Sequence, residues 1–158
     1  MRLEGPGEAS WPRALTRLAV VVTTVVAGDG ITKVLAASLA SAGYGREILQ
    51  PLQNPEFSLG LASASFPVTL VLAVLGIAAL GGYTVWQAWR GAAPSWIAGL
   101  LVGGSMANLL DRAEFGAVHD WLRIGRVVIN LADLAVALGL VGYVIFMALP
   151  LATGRNRA

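Results

Sequence analysis

The chain has no cysteine. That absence excludes disulfides, thiolate nucleophiles and cysteine-ligated metal centres. Histidine is nearly missing too: His119 stands alone in 158 residues, so a histidine-rich metal site is also excluded. No metal and no cofactor are expected. Charged residues are scarce, at 13% against the ~25% of soluble domains. The net charge is only +2 and the basic residues are scattered, which argues against a nucleic-acid partner. What fills the chain instead is apolar: 56% of its residues are hydrophobic. That composition belongs to a membrane protein.

Four apolar segments stand out, at approximately 18–40, 66–86, 92–110 and 127–151. Each approaches the ~20 residues a helix needs to cross the hydrocarbon. Pro67, Pro94 and Pro150 sit near span ends, where a missing N–H does little harm. The expected fold is therefore an all-α membrane protein of four transmembrane helices, one polytopic domain over 1–158 without internal repeats. The loop over 41–65, between the first two helices, is expected to form an extracytoplasmic platform, as a small β-sheet or an amphipathic helix. Arg13 and Arg17 ahead of the first apolar run resemble a signal peptide, but continuation through Lys33 into Val-Leu-Ala-Ala favours a retained helix. The polar tails MRLEGPGEAS and TGRNRA read as flexible. Four spans put both termini on one side. Six arginines then share that side (2, 13, 17, 90, 155 and 157) against four opposite (46, 112, 123 and 126), which favours cytoplasmic termini. Trp86, Trp89, Trp96 and Trp121 suit interfacial anchoring.

The stretch VVINLADLAVALGLVGYVIF carries one charge, Asp133. A carboxylate near a bilayer centre costs ~2.5–3.5 kcal/mol on the insertion scale, so something must offset it. The topology places Lys33 ~24 Å along the first span and Asp133 ~9 Å into the fourth. Asn108, Asp111 and Arg112 end the third span, and Asp120 follows in the outer loop. The polar residues thus converge in the outer leaflet. Asp29 and Lys33 share a helix face, as do Asn108 with Arg112 and Asn130 with Asp133. Gly99, Gly103 and Ala107 form a small-residue row that permits close helix contact.

Two neighbouring carboxylates, Asp120 and Asp133, cannot both ionise easily, so one keeps a proton near neutral pH. The ionised member can draw a proton from water while the other donates to a carbonyl, which is aspartic peptidase chemistry. Structural readings stand beside this one. Asp133 can pair with Arg112 or Arg126 and simply join two spans. Asp29–Lys33 can be a structural ion pair, Asp111-Arg112 an ordinary helix terminus, and His119 a solvated loop residue. Ser58 with Lys33 has no spacing that supports a serine–lysine dyad.

The succession GGSMANLLDR, VHDW and INLADLAV resembles the lipoprotein signal peptidases (signal peptidase II), bacterial four-span aspartic peptidases. Their pattern is a Gly-rich helix ending in Asn-x-x-Asp-Arg, then Val-Val-Asp-Phe, then Phe-Asn-x-Ala-Asp. Asp29 and Lys33 match an Asp-x-x-x-Lys in the family's first span. LQNPEFSLG stands where the family has Asn-x-Gly-Ala-Ala-Phe-Ser, which makes Asn54 the matching residue of a substrate-contacting loop. The resemblance implies that Asp120 and Asp133 are the catalytic pair. It implies that Asn108, Arg112, Asn130, Asp29, Lys33 and Asn54 support them or the substrate. It implies cleavage of diacylglyceryl-modified prolipoproteins just before the lipidated cysteine, with membrane lipid as the other partner. It also implies a place in the bacterial cytoplasmic membrane, with the site near the outer leaflet and no cofactor; a monomer is expected, because no exposed soluble face suggests an obligate partner. The segment WLRIGRVVI between Asp120 and Asn130 reads as a small flap. Two other readings are open: a non-catalytic four-span protein that binds lipid or ions, and an inactive relative that binds lipidated signal peptides.

Overall fold

The structure is a computed structural model, and it describes residues 11–55, 68, 71, 74–90 and 94–153. The terminal tails, most of the second half of the 41–65 loop and Pro67 lie outside the described residues. So does the side chain of Trp89. Helix α1 spans Trp11–Ser41, an unbroken 31-residue run in which Asp29 and Lys33 cause no interruption. Strand β1 follows at Leu49–Asn54. The second apolar segment is helical over Val74–Ala88. It contains a π-helical turn at Ile77–Gly81 that leads into α2, Gly82–Trp89. Helix α3 spans Ser95–Phe115. Strands β2 (Val118–Ile124) and β3 (Val127–Ile129) come next, and α4 runs over Leu131–Thr153.

Two corrections to the all-α expectation follow. Of the two forms expected for the platform the sheet is the one found, three-stranded, antiparallel and ordered β1-β2-β3, and the first correction is that two of its strands come from between α3 and α4. The flap over WLRIGRVVI is a hairpin closed at Gly125, whose φ of 62 lies in the left-handed region that glycine adopts cheaply. The second correction concerns the fourth apolar run. Its first three residues, Val127–Ile129, are strand β3, so α4 starts only at Leu131. A β-strand and a helix placed end to end read as one continuous apolar run. Among the described residues two helices are long and apolar enough to cross a membrane, Pro12–Ser41 and Leu131–Ala148.

The helices pack through small residues. A methyl group built on Gly99 would lie 2.7 Å from Val21 of α1, and one on Gly103 would lie 3.0 Å from Val25. On the neighbouring face, one on Gly104 would reach the Ala132 carbonyl oxygen of α4 at 2.4 Å. The small-residue row thus brings α3 against α1, and Gly104 brings it against α4. The buried set is correspondingly small: Ala98, Ala107, Ala132 and Ala135 accompany Ile97 and Leu101. Large apolar side chains point outward instead, among them Ile31, Val34, Leu138, Val141 and Val144. Water would penalise such a surface, and hydrocarbon accepts it.

Candidate active site

Four elements deliver the polar residues to one place. Helix α3 ends at Gly116, left-handed at φ 74, with its N–H on the Arg112 carbonyl at 3.0 Å. The reversal sends the chain straight into β2. There Val118 and Asp120 turn inward and are buried, while His119 faces the other side of the sheet. Asp120 sits opposite Leu52 of β1, and Asn54 sits opposite Val118. That register puts the Asn54 Nδ2 donor 3.0 Å from Asp120 Oδ2.

Asn130 and Asp133 form a reciprocal cap at the start of α4. Asn130 Oδ1 accepts from the Asp133 N–H at 2.8 Å, and Asp133 Oδ2 accepts from the Asn130 N–H at 3.3 Å. This is the geometry of a capping box with aspartate in the third helical position. Asp133 therefore lies in the first turn of its helix. It is not a turn or more inside the span, as a helix starting at Val127 would place it. A carboxylate there also meets the positive end of the helix dipole.

Amide side chains join the two carboxylates. Asn130 Nδ2 donates to Asp120 Oδ1 at 2.7 Å and to Asn108 Oδ1 at 3.1 Å. Asn108 Nδ2 donates in turn to Asp133 Oδ1 at 2.8 Å. A continuous chain of hydrogen bonds thus runs from Asn54 through Asp120, Asn130 and Asn108 to Asp133. Arg112 Nη1 reaches the Asn108 carbonyl at 3.2 Å. Asp120 and Asn130 are 3% and 0% exposed, so each polar atom needs a partner inside the protein. Burial pushes the Asp120 carboxyl above the usual carboxylate range, and the Asp133 charge adds to that rise. The Asn54 and Asn130 donors and the Lys33 charge pull the other way.

A second network braces the first from behind. Lys33 pairs with Asp29 on its own helix and with Asp111 Oδ2 at 2.8 Å. Asp29 Oδ1 accepts from the Ala132 N–H at 2.9 Å, beside Asp133. Asp111 Oδ2 accepts from the His119 N–H at 2.8 Å, beside Asp120. One lysine therefore ties together the two segments that carry the carboxylates. Asp111 is the site residue that reading the sequence missed. It looks like an ordinary helix terminus, and only its fixed place in the Asn-x-x-Asp-Arg motif marked it. His119 is a β2 residue rather than a loop residue. Its Nδ1 lies 3.4 Å from Asp111 Oδ2, and its ring meets Phe115 edge-on at 4.8 Å.

The carboxylates head a cleft of ≈620 Å³. Its polar end holds Asn54, Asn108, Arg112, Asp120 and Asp133, and its length is walled by apolar residues of the π turn, α3 and α4. Fold and site together define a helical membrane protein that presents two hydrogen-bonded carboxylates at the head of an apolar cleft.

Comparison with known proteins narrows the class. A family model described as Signal peptidase (SPase) II matches residues 21–149. A lipoprotein signal peptidase of Anaplasma phagocytophilum (strain HZ) is 32% identical over 144 residues, 84% of this chain and 90% of that protein. One of Mycobacterium avium (strain 104) is 33% identical, over 81% of this chain and 76% of its own length. The Leifsonia xyli subsp. xyli (strain CTCB07) lipoprotein signal peptidase is 35% identical over 78% of this chain, and the match spans only 62% of that longer protein. The fold is that of a bacterial membrane enzyme solved in meso at 2.3 Å resolution, with a TM-score of 0.71 and 17% identity over 89% of this chain and 93% of that one. The chain belongs to the signal peptidase II family.

Proposed function

We propose that this chain is an aspartic endopeptidase that removes signal peptides from diacylglyceryl-modified prolipoproteins, cutting just before the lipidated cysteine. The observation that carries the reading is the amide chain that holds Asp120 and Asp133 together at the head of an apolar cleft. Family membership adds to it and disfavours a non-catalytic lipid- or ion-binding role. The ionised member of the pair takes a proton from water, whose oxygen attacks the scissile carbonyl carbon. The protonated member gives its proton to the carbonyl oxygen, and the tetrahedral adduct collapses as the amine leaves with a proton. Two carboxylates sharing one proton suit both halves of this exchange. Burial at Asp120 favours the proton-bearing state there.

The other residues take supporting roles. Asn108 and Asn130 orient the pair, Asn54 holds the outer oxygen of Asp120, and Arg112 steadies the end of α3. Asp29 and Lys33 brace the segments behind. The chain crosses the bacterial cytoplasmic membrane four times with its termini inside and the sheet outside, and it works as a monomer. The test is cleavage of a diacylglyceryl-modified prolipoprotein by the purified protein in detergent. Asp120→Asn and Asp133→Asn are each expected to lower kcat by about 10²–10⁴-fold. A single variant that turned over at the wild-type rate would remove that carboxylate from the mechanism.

A further inference from the structure

Below its polar head the cleft becomes an apolar trough, with Ile77 and Leu80 on one side and Leu101, Val102 and Leu134 on others. Ser105 is the only hydroxyl residue among the described residues that line it. It lies three residues before Asn108 on α3, so the two share a helix face about 4.5 Å apart along the axis. Elsewhere the helical hydroxyls of Thr16, Ser38 and Thr84 turn back to the carbonyl four residues earlier, at 2.8, 2.9 and 2.9 Å. The Ser105 hydroxyl makes no hydrogen bond among the described residues. It is half-buried in the cleft wall.

A substrate's apolar segment brings no polar side chain into such a trough. To present a peptide bond to two carboxylates, however, that segment must unwind just before the cleavage point. Each main-chain group freed against an apolar wall loses partners there and gains from a hydrogen bond to the protein. Ser105 stands one helical turn below the asparagine that holds Asp133, where that unwinding falls. We propose that Ser105 is a substrate-binding residue whose hydroxyl donates to a main-chain carbonyl of the segment preceding the scissile bond. This rests on the peptidase reading above.

Binding and cleavage are measured separately so that the two ideas can fail separately. The probe is a synthetic prolipoprotein segment with its apolar stretch and an S-diacylglyceryl cysteine. Its Kd is measured on the Asp120→Asn protein with and without Ser105→Ala, and its steady-state cleavage on otherwise wild-type protein. A neutral hydrogen bond predicts a Kd and a KM raised about two- to tenfold by Ser105→Ala, with kcat little changed. Ser105→Thr, which keeps the hydroxyl, should restore both. Alanine is the better helix former, so the thermal midpoint should hold or rise, which excludes misfolding as the cause. Unchanged Kd and KM in Ser105→Ala would overturn the role of Ser105 and leave the peptidase reading standing. Weakened binding that threonine fails to restore would also overturn it, since side-chain size and not the hydroxyl would then matter. A weakened Kd without wild-type cleavage would uphold the serine contact and sink the peptidase reading alone.

Discussion

Asp133 looks expensive in the sequence and is well supplied in the fold. Its carboxylate receives the Asn108 side chain and the Asn130 N–H, and it sits at the start of a helix, where negative charge is favoured. Asp120 differs: it is buried in a strand, and the proton stays on its carboxyl above the ordinary value of 3.8. That difference has a sign that can be tested. The folded protein binds this proton more tightly than the unfolded chain does. The group's contribution to stability is therefore fully present below the ordinary carboxylate pKa and is lost as pH rises through the raised one. Asp120→Asn has no such titration. The midpoint of wild type minus that of Asp120→Asn should fall as pH rises above the ordinary carboxylate range and level off once the raised carboxyl has ionised. A difference that grew with pH across that range would mean that the asparagine donors and Lys33 outweigh burial. The carboxyl would then hold its proton less tightly than in the unfolded chain.

At the level of elements, the site depends on how closely α3 and α4 approach. Asn108 and Asp133 sit on opposite sides of that contact, and Gly104 lies one turn below Asn108. A methyl group on Gly104 would meet backbone, the Ala132 oxygen at 2.4 Å and the Val136 nitrogen at 3.2 Å. No rotamer change relieves such a clash, so the helices must separate. Gly104→Ala is expected to cost about 1–3 kcal/mol of stability and to lower kcat by loosening the 2.8 Å Asn108–Asp133 bond. Gly82→Ala, where nothing lies within 4 Å, should be neutral or stabilising. Thermal unfolding and turnover of the two variants check this together. The same contacts explain what reading the sequence could reach. Asn108 with Arg112 and Asn130 with Asp133 are local spacings, so their shared faces were legible. Lys33 meets Asp111 across 78 residues, a pairing that no local pattern encodes. A sheet in the 41–65 loop is one of the two forms expected, and it is the sheet's strands β2 and β3 that escape. β2 is a mixed polar stretch, and β3 is three apolar residues that merge with the helix behind them. Reading that run as one helix therefore puts Asp133 ~9 Å into a span, when it is a capping residue.

Over the whole molecule, the two ends of the helices carry different groups. At one end stand the sheet, the carboxylates and the Lys33 network. At the other, Tyr83 packs against Trp86 at 6.0 Å and against Tyr143 at 6.4 Å. Arg90 lies over the Trp86 ring at 4.8 Å. Aromatic rings with an adjacent arginine suit the headgroup level of a bilayer, and the 31 residues of α1 are more than long enough to connect the two ends. If that end faces the cytoplasm, Arg13 and Arg90 lie inside, and Arg46 and Arg126, beside the sheet, lie outside. The chain's lack of cysteine makes this directly testable, because any single introduced thiol is the only one. With a membrane-impermeant maleimide on intact cells, Arg46→Cys and Arg126→Cys should label without permeabilisation. Arg13→Cys and Arg90→Cys should label only after it. Labelling of Arg90→Cys from outside would break the four-span arrangement. It would also leave the apolar segment before α2 returning to the side it came from, so that the cleft wall built by the π turn would no longer span the membrane.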